Sequence, residues 1–378
     1  MEKRRVRCTR CGSLETKRNG KTHSVPTGRA GPIKPLQRFL CIACGTTFTF
    51  ERKTARPRAR FTDDVIEEAV RLYIQGLSSY RVLAVMLEQR FGRSLSRVTL
   101  NDWVQELGER AKTPVEVSTE LQPKWGGFLG IDGKVIRVRG DKRCLLIGVD
   151  HPTQDLVHAL VLDAETADGF AQLATEARLD AGHPLTGVVS DLGPGFAQSH
   201  RDHFGSVPFQ ACRVHFDRRL DQEIPKSLWS AKAPLYAELK NRIRAVLYAG
   251  DYEQATALLQ ALARDRARFK GIGKINMIRS LERTFDLFMA HHSTPGLPAD
   301  NNVTENVIKQ LNKKLRLMEG FESIESAERY ARLLVGCYRF KRFTDSHNGN
   351  NGKAPLELAG VDLSGRDWPS FLLDRKIR

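Results

Sequence analysis

Between residues 124 and 215 the chain alternates short apolar runs with helical stretches, and most of those runs end on an aspartate. Phe128–Asp132, Cys144–Asp150, Leu156–Leu162 (followed by Asp163) and Thr186–Asp191 read as strands. Ala167–Ala181 reads as a helix, Gly193-Pro194-Gly195 turns into a second helix, and Pro208–Ala211 is a short fifth strand. Strands joined by short turns pair antiparallel, whereas a strand reached through a helical crossover lies parallel. The order β-β-β-α-β-α-β therefore predicts a three-strand meander with the fourth strand parallel beside the first. That places Asp132 and Asp191 together at carboxyl ends, where ligand sites of α/β sheets sit. Asp150 points to the opposite edge and Asp163 lies further out, so both read as turn residues.

The same order is that of an RNase H-like α/β core. Two strand-end aspartates need a third carboxylate before they make a two-metal phosphoryl-transfer site. Glu305, in Asp300-Asn-Asn-Val-Thr-Glu305-Asn306, is the best candidate. Its helix is expected to continue to about Met318. Val307, Ile308, Leu311, Leu315 and Met318 fall on one face, and Glu305, Lys309, Asn312 and Arg316 on another. Alone, Glu305 and Lys309 would be an ordinary exposed i,i+4 pair. Beside two strand-end aspartates, the face reads as an acidic ligand followed by cations along a nucleic-acid track, with Lys309 and Arg316 as DNA contacts. Three carboxylates can hold two Mg²⁺ or Mn²⁺ about 3.5–4 Å apart. Hard oxygen donors suit those ions and disfavour zinc. No Gly-x-x-x-x-Gly-Lys-Ser/Thr run is present, so nothing supports a need for ATP.

Of the formal charge of +16, residues 1–60 carry +13, from 16 Lys/Arg against 3 Asp/Glu. Charge held that unevenly points to a polyanion read by this segment. Cys8-Thr-Arg-Cys11-Gly and Cys41-Ile-Ala-Cys44-Gly are matching knuckles that complete one tetrahedral Cys₄ zinc site. With Arg4, Arg5, Arg7, Arg10, Lys17, Arg18 and Lys21 nearby, its expected partner is DNA phosphate. Seven cysteines, four of them in these pairs, suit a reducing cytosol better than a disulfide framework. Cys144 and Cys337 lie in apolar runs and read as core. No apolar run spans a bilayer and no apolar leader follows the basic start, so the expectation is cytoplasmic and nucleoid-associated, with no membrane partner.

Residues 61–112 carry three helical stripes. Thr62 is placed to cap the first, Ser78 or Ser79 the second and Ser96 the third, with Gly76 and Gly92 as stops. Tyr80, Val82, Leu83, Val85, Met86 and Leu87 are expected inside the second helix. Val98, Leu100, Trp103, Val104 and Leu107 are expected inside the third. Three short helices with tight turns match a helix-turn-helix DNA-binding domain whose third helix presents Arg97, Thr99, Asn101 and Asp102. Arg97 and Asn101 are the expected DNA contacts, and a plain three-helix packing domain is the other reading.

The divisions that follow are a basic zinc ribbon (1–60), the helix-turn-helix (61–112), a linker bounded by Pro114 and Pro123 (113–123) and the first part of the core (124–215). An all-α insertion (216–298), the last part of the core (299–345) and a C-terminal tail (346–378) complete the chain. Ser323–Phe343 reads as a closing amphipathic helix made basic by Arg329, Arg332, Arg339, Lys341 and Arg342, facing either DNA or solvent.

The ordered set Asp132, Asp191, Cys212-Arg-Val-His215 and Glu305 resembles the DDE transposases of bacterial insertion sequences, above all the Mutator-like group. These carry a Cys/Asp-x-x-His signature after the second aspartate and a helical insertion before the glutamate. The resemblance implies metal-dependent strand cleavage at transposon terminal inverted repeats and strand transfer into target DNA. It also implies an assembly of at least two copies on the DNA. Cys212 and His215 would support the active site rather than ligate metal. An aromatic of the insertion would stack on a DNA base. Trp229, the one Trp there, is placed for that role or for an ordinary helical core. A domesticated DNA-binding regulator and a structure-specific nuclease on the same core are the alternative functions.

Overall fold

The computed structural model describes residues 6–22, 27–28, 31–32, 35–49, 60–224, 233–344, 346 and 349–373. They form two compact units, Met1–Glu109 and Arg110–Arg378.

In the first unit β1 (Thr16–Lys21) precedes β2 (Thr27–Gly28), β3 (Gly31–Pro32), β4 (Gln37–Cys41) and β5 (Thr47–Thr49). β4 is the middle strand of an antiparallel sheet, between β1 and β5. Phe39 and Phe48 stack across that sheet with ring centroids 5.9 Å apart. Three helices follow: α1 (Asp63–Gln75), α2 (Tyr80–Phe91) and α3 (Arg97–Arg110). The Ser79 hydroxyl accepts from Val82 N–H and the Ser96 hydroxyl from Thr99 N–H, each satisfying a first-turn donor. Gly92 ends α2 at φ +63°, a left-handed position that glycine takes at little cost.

The seam of this helical group is narrower than the sequence suggests. Leu83, Ala84, Leu87 and Phe91 face inward from α2, but Val82, Val85 and Met86 are exposed. On α3, Leu100, Trp103, Val104 and Leu107 are buried, and Val98 is 61% exposed. An apolar residue marks a face only when a neighbouring element covers it. Short helices cover about one stripe of residues at i, i+3, i+4 and i+7.

The second unit begins with α4 (Pro114–Leu121), where a linker was expected. Thr113 caps it in a reciprocal box with Glu116, and Pro114 sits at the first helical position. Proline there forfeits no bond, because that N–H has no partner within the helix. The sheet is built from β6 (Phe128–Val138), β7 (Asp141–Asp150), β8 (Leu156–Leu162), β9 (Gly187–Ser190) and β10 (Phe209–Ala211) in the order β10-β9-β6-β7-β8. β6, β7 and β8 are an antiparallel meander; β9 runs parallel to β6, and β10 parallel to β9. Helices α5 (Ala167–Leu179) and α6 (Phe196–Phe204) make the crossovers.

After β10 come α7 (Arg213–Glu223), α8 (Ala233–Leu247), α9 (Tyr252–Arg264), a short 3₁₀ stretch at Asp265–Ile272, and α10 (Ile275–Ser293). This helical excursion shares one core with the sheet: Leu239, Ile243, Leu281 and Phe288 join Leu129, Val188 and Phe209. α11 (Asn302–Leu315) and α12 (Ile324–Phe340) then return the chain to the sheet. Residues 346–378 were expected as a tail, but the described ones among them include α13 (Pro355–Leu358) and α14 (Trp368–Leu373), and both pack on α12. Trp368 and Leu372 are buried, which explains the folding of that segment.

Arg339 of α12 does not face DNA. It is 0% exposed and clamps Asp155 with Nε at 2.9 Å and a second guanidinium nitrogen at 2.7 Å, while a third donates to the Pro114 carbonyl. Trp125 Nε1 donates to the same carboxylate at 3.0 Å. Removing one partner of such a pair leaves a buried charge uncompensated. Arg339→Met is therefore expected to lower stability by about 3–5 kcal/mol in urea unfolding; an unchanged midpoint and slope would contradict this.

Candidate active site

Phe128, Leu129 and Gly130 of β6 pair with Gly187, Val188 and Val189 of β9. Two further residues in the same register bring Asp132 opposite Asp191, and the Ser190 hydroxyl ties the step between them by donating to the Ile131 carbonyl at 3.1 Å. Asp132 is not at a strand end, as the sequence suggested, but midway along β6. β6 continues along β7 after β9 has stopped, and the gap so left at the parallel edge is where both carboxylates sit. Each carboxylate accepts from a backbone N–H just after it in the chain. Asp132 Oδ1 accepts from Gly133 N–H at 2.8 Å, and Asp191 Oδ1 accepts from Gly193 N–H at 3.2 Å.

Burial pushes the Asp132 carboxyl up to about 7; the Gly133 N–H opposes this, and the charges of Asp191, Glu165 and Glu305 add to it. Glu165 was not anticipated. It stands in the loop between β8 and α5, and a Cβ at Gly133 would come within 2.8 Å of its carboxylate. Burial and Asp191 raise Glu165 as well. The cluster is thus a concentration of negative charge with no internal cation among Asp132, Asp191 and Glu165. Folded Asp132 holds its proton to about pH 7, against an ordinary value of 3.8. The metal-free fold is therefore penalised as pH rises from about 4 to 7. Asp132→Asn should stabilise the protein by about 1–3 kcal/mol at pH 8 without added divalent metal, and the two proteins should converge near pH 4. Equal urea midpoints at pH 8 would contradict a cost of charging Asp132, set first by its burial and then by the neighbouring carboxylates.

α11 is fastened to this edge by Asn301, which is fully buried. Its side-chain amide donates to the Ile131 carbonyl at 2.9 Å, its backbone N–H donates to Cys212 Sγ at 3.2 Å, and its Oδ1 lies 3.3 Å from His151 Nε2. Gly130 permits the close approach, because a Cβ there would run into Thr304 Oγ1 and Asn301 Oδ1. Cys212 lies immediately before α7 and His215 in its first turn. Burial holds the Cys212 thiol up against the N–H groups of Asn301, His215 and Val214. The Cys-x-x-His pair thus touches the site through both its members: the sulfur receives the start of α11, and His215 Nε2 lies 3.7 Å from Glu305 Oε1.

Glu305, buried in the first turn of α11, is gripped by Arg218 of α7. Arg218 Nη1 donates to Oε1 at 2.7 Å and Nη2 to Oε2 at 2.8 Å. Burial raises the Glu305 carboxyl, but Arg218, His215 and Lys309 outweigh it and hold the group below the usual carboxylate range. The Cys212 sulfur, a His215 nitrogen and a Glu305 oxygen lie within 4.8 Å of one another. Lys309 on α11 and Arg316 just past its end are exposed, and the helix stops at Leu315, short of the expected Met318. Arg316 and Asn312 line a cleft with Lys134 and Arg137 of β6.

In the first unit the Sγ atoms of Cys8, Cys11, Cys41 and Cys44 all lie within 4.8 Å of one another. Cys8 and Cys44 are 3.7 Å apart, and Cys11 and Cys41 3.6 Å. A tetrahedral Zn–S₄ site with bonds of about 2.3 Å needs sulfurs about 3.8 Å apart. Hydrogen bonds from the Thr46 hydroxyl and N–H bring the Cys44 thiol down to about 6, favouring the thiolate a metal requires. The four cysteines therefore fit a structural zinc. Arg7, Arg10, Lys17, Arg18 and Lys21 are exposed around it; Arg4 and Arg5 lie outside the described residues. Arg97 is exposed and Asn101 half-buried on α3. Trp229 also lies outside the described residues.

The profile of the family described as "Transposase, Mutator family" matches residues 7–336. The chain belongs to the Mutator family of transposases. It is 24% identical over 342 residues to the transposase for insertion sequence element IS256 in transposon Tn4001 from Staphylococcus aureus, and equally to that from Enterococcus faecalis. The alignments cover 87% of this chain and 77% of each relative. A Mutator-family transposase has DNA as its partner and is, in general terms, a DNA-cleaving and strand-transferring enzyme. Among the described residues no helix is long and apolar enough to cross a membrane.

Sequence reasoning missed Arg218 and Glu165 in this candidate site and gave Asn301 only as part of the motif around Glu305, with no role. Arg218 stands one helical turn beyond His215, so the Cys-x-x-His spacing, once placed at the start of a helix, puts it on the face of the histidine. Asn301 lies in the asparagine pair before Glu305, a short polar motif whose partners are distant in sequence. Glu165 had no signal beyond being an acid in a loop.

Proposed function

We propose that the second unit is an RNase H-like DDE core that cleaves DNA at the element's terminal inverted repeats and transfers the freed strand to target DNA. The observation that carries this is the register that sets Asp132 of β6 opposite Asp191, the first residue past β9, with Glu305 on a helix fastened to the Ile131 carbonyl through Asn301. Asp132, Asp191 and Glu305 would hold two Mg²⁺ or Mn²⁺ ions. Their all-oxygen donor set and mutual repulsion fit hard divalent cations, whereas the nearby Cys212 thiol does not. When bound, such ions supply an activated water or 3′-hydroxyl and stabilise the leaving oxygen of an in-line displacement.

The chain's own residues do the rest. The Gly133 N–H in β6 orients Asp132, the Gly193 N–H after β9 orients Asp191, and Asn301 sets the depth of Glu305. Lys309 and Arg316, with the cleft residues Lys134 and Arg137, carry the DNA backbone away from the carboxylates. The first unit reads the ends: four cysteines on one zinc hold the basic sheet, and α1 to α3 present Arg97 and Asn101 in helix-turn-helix fashion. Two ends must be brought together, so the DNA complex holds at least two copies.

The test is purified protein with Mg²⁺ on DNA bearing the element's own ends. Nicking at the ends and joining to a second duplex are expected. Tight end binding without cleavage under Mg²⁺ or Mn²⁺ would favour a regulator. Cleavage with no preference for ends over random DNA would favour a structure-specific nuclease.

A further inference from the structure

Both oxygens of Glu305 are occupied by one guanidinium. The contacts are short, parallel and bidentate, the strong form of a charge-assisted pair. Yet the Arg218 side chain is 50% exposed and reaches Glu305 from α7, a different element from the one that carries the acid. A side chain half in solvent can leave by rotating about its own bonds. His215 stands beside the same Glu305 oxygen at 3.7 Å and would remain when Arg218 departs. A metal ion at Glu305 needs the electron pairs that Arg218 now holds, and a cation there would repel the guanidinium. The displaced group is a planar fork suited to a phosphate diester.

We propose that Arg218 gates the third carboxylate. Without DNA it occupies Glu305, and an incoming DNA phosphate draws it away, so the acidic site takes its metal with DNA in place. This inference rests on the two-metal reading of Asp132, Asp191 and Glu305. It also removes a hazard, since the enzyme would not carry a loaded phosphoryl-transfer site before its substrate is seated. Coupling of this kind is reciprocal: DNA tightens metal binding by the factor by which metal tightens DNA binding.

The experiment is Mn²⁺ titration of the full, zinc-loaded chain, read by electron paramagnetic resonance, with and without a duplex bearing the element's ends. In the parent protein DNA is expected to tighten Mn²⁺ binding about tenfold or more. In Arg218→Ala, Mn²⁺ should bind more tightly without DNA, and the effect of DNA should fall toward onefold. Arg218→Lys, which keeps the charge and loses the fork, should fall between them and serves as a second variant if the alanine protein misfolds. Unchanged or weaker Mn²⁺ binding in both variants without DNA would overturn the gate and leave Arg218 as a plain support for Glu305. Asp132→Asn and Glu305→Gln run alongside. If they bind Mn²⁺ as the parent does, the two-metal reading fails and the gate fails with it. If they lose Mn²⁺ while the Arg218 variants match the parent, the gate alone fails.

Discussion

Asp132→Asn, Asp191→Asn and Glu305→Gln each abolish strand cleavage, by about a thousandfold or more, and leave binding to the element's ends intact. The expectation follows from where the three acids stand. None supports the core: Asp132 and Asp191 each accept from a backbone N–H one or two residues on, and Glu305 pairs with a side chain that is half in solvent. Their amides should therefore fold. The loss should also be non-additive, because the three act as one unit, and any double variant should be no worse than the poorest single one. Cleavage and binding assays on the same preparations separate the effects. Cleavage surviving in the Asp191→Asn protein would sink the assignment. Loss of end binding along with cleavage would show that these acids do structural work instead.

Cys41→Ser, or removal of zinc by a chelator, abolishes discrimination between the element's ends and random DNA. The sheet of β1, β4 and β5 buries little apolar surface. Among the described residues its core cluster is Cys8, Cys41 and Phe48, with Val6, Phe39 and Cys44 packed against it. Two of its three buried members are thus cysteines of the candidate zinc site. Structural zinc contributes about 10–16 kcal/mol of apparent binding free energy to domains of this kind, far more than so small a cluster supplies. The helices α1 to α3 keep their own core of Val65, Ile66, Leu83, Leu100 and Trp103. Circular dichroism should therefore retain their helical signal while the specificity ratio falls toward that of phosphate contacts alone. Undiminished specificity in the metal-free protein would contradict a structural role for the site.

The sheet was legible because its strands announce themselves as apolar runs, and because short turns and helical crossovers dictate pairing direction. That reasoning brought Asp132 and Asp191 together from sequence alone. It misplaced Asp132 at a strand end, because periodicity shows where a strand is apolar and not where its neighbour stops. The four cysteines were legible for a different reason: the spacing of a metal knuckle is local. Long-range polar contacts were not. Arg218 on Glu305, Asn301 on Ile131 and Arg339 on Asp155 join residues far apart in the chain, and a lone charge or amide carries no mark of its partner. Arg339 was grouped with surface cations for that reason. The expected linker was a helix because Pro114 and Thr113 are as suited to starting a helix as to ending one. Val82, Val85, Met86 and Val98 were over-read, since an apolar residue on a short helix is buried only where something covers it.

Under the function proposed above, Asp132, Asp191 and Glu305 form one cation site with hard oxygen donors. Anomalous diffraction from crystals of the DNA complex grown with Mn²⁺ tests it most directly. Two manganese peaks beside those three carboxylates are expected, with the Arg218 guanidinium off Glu305. A single peak on Cys212, His215 and Glu305, or none near Asp132 and Asp191, would contradict it.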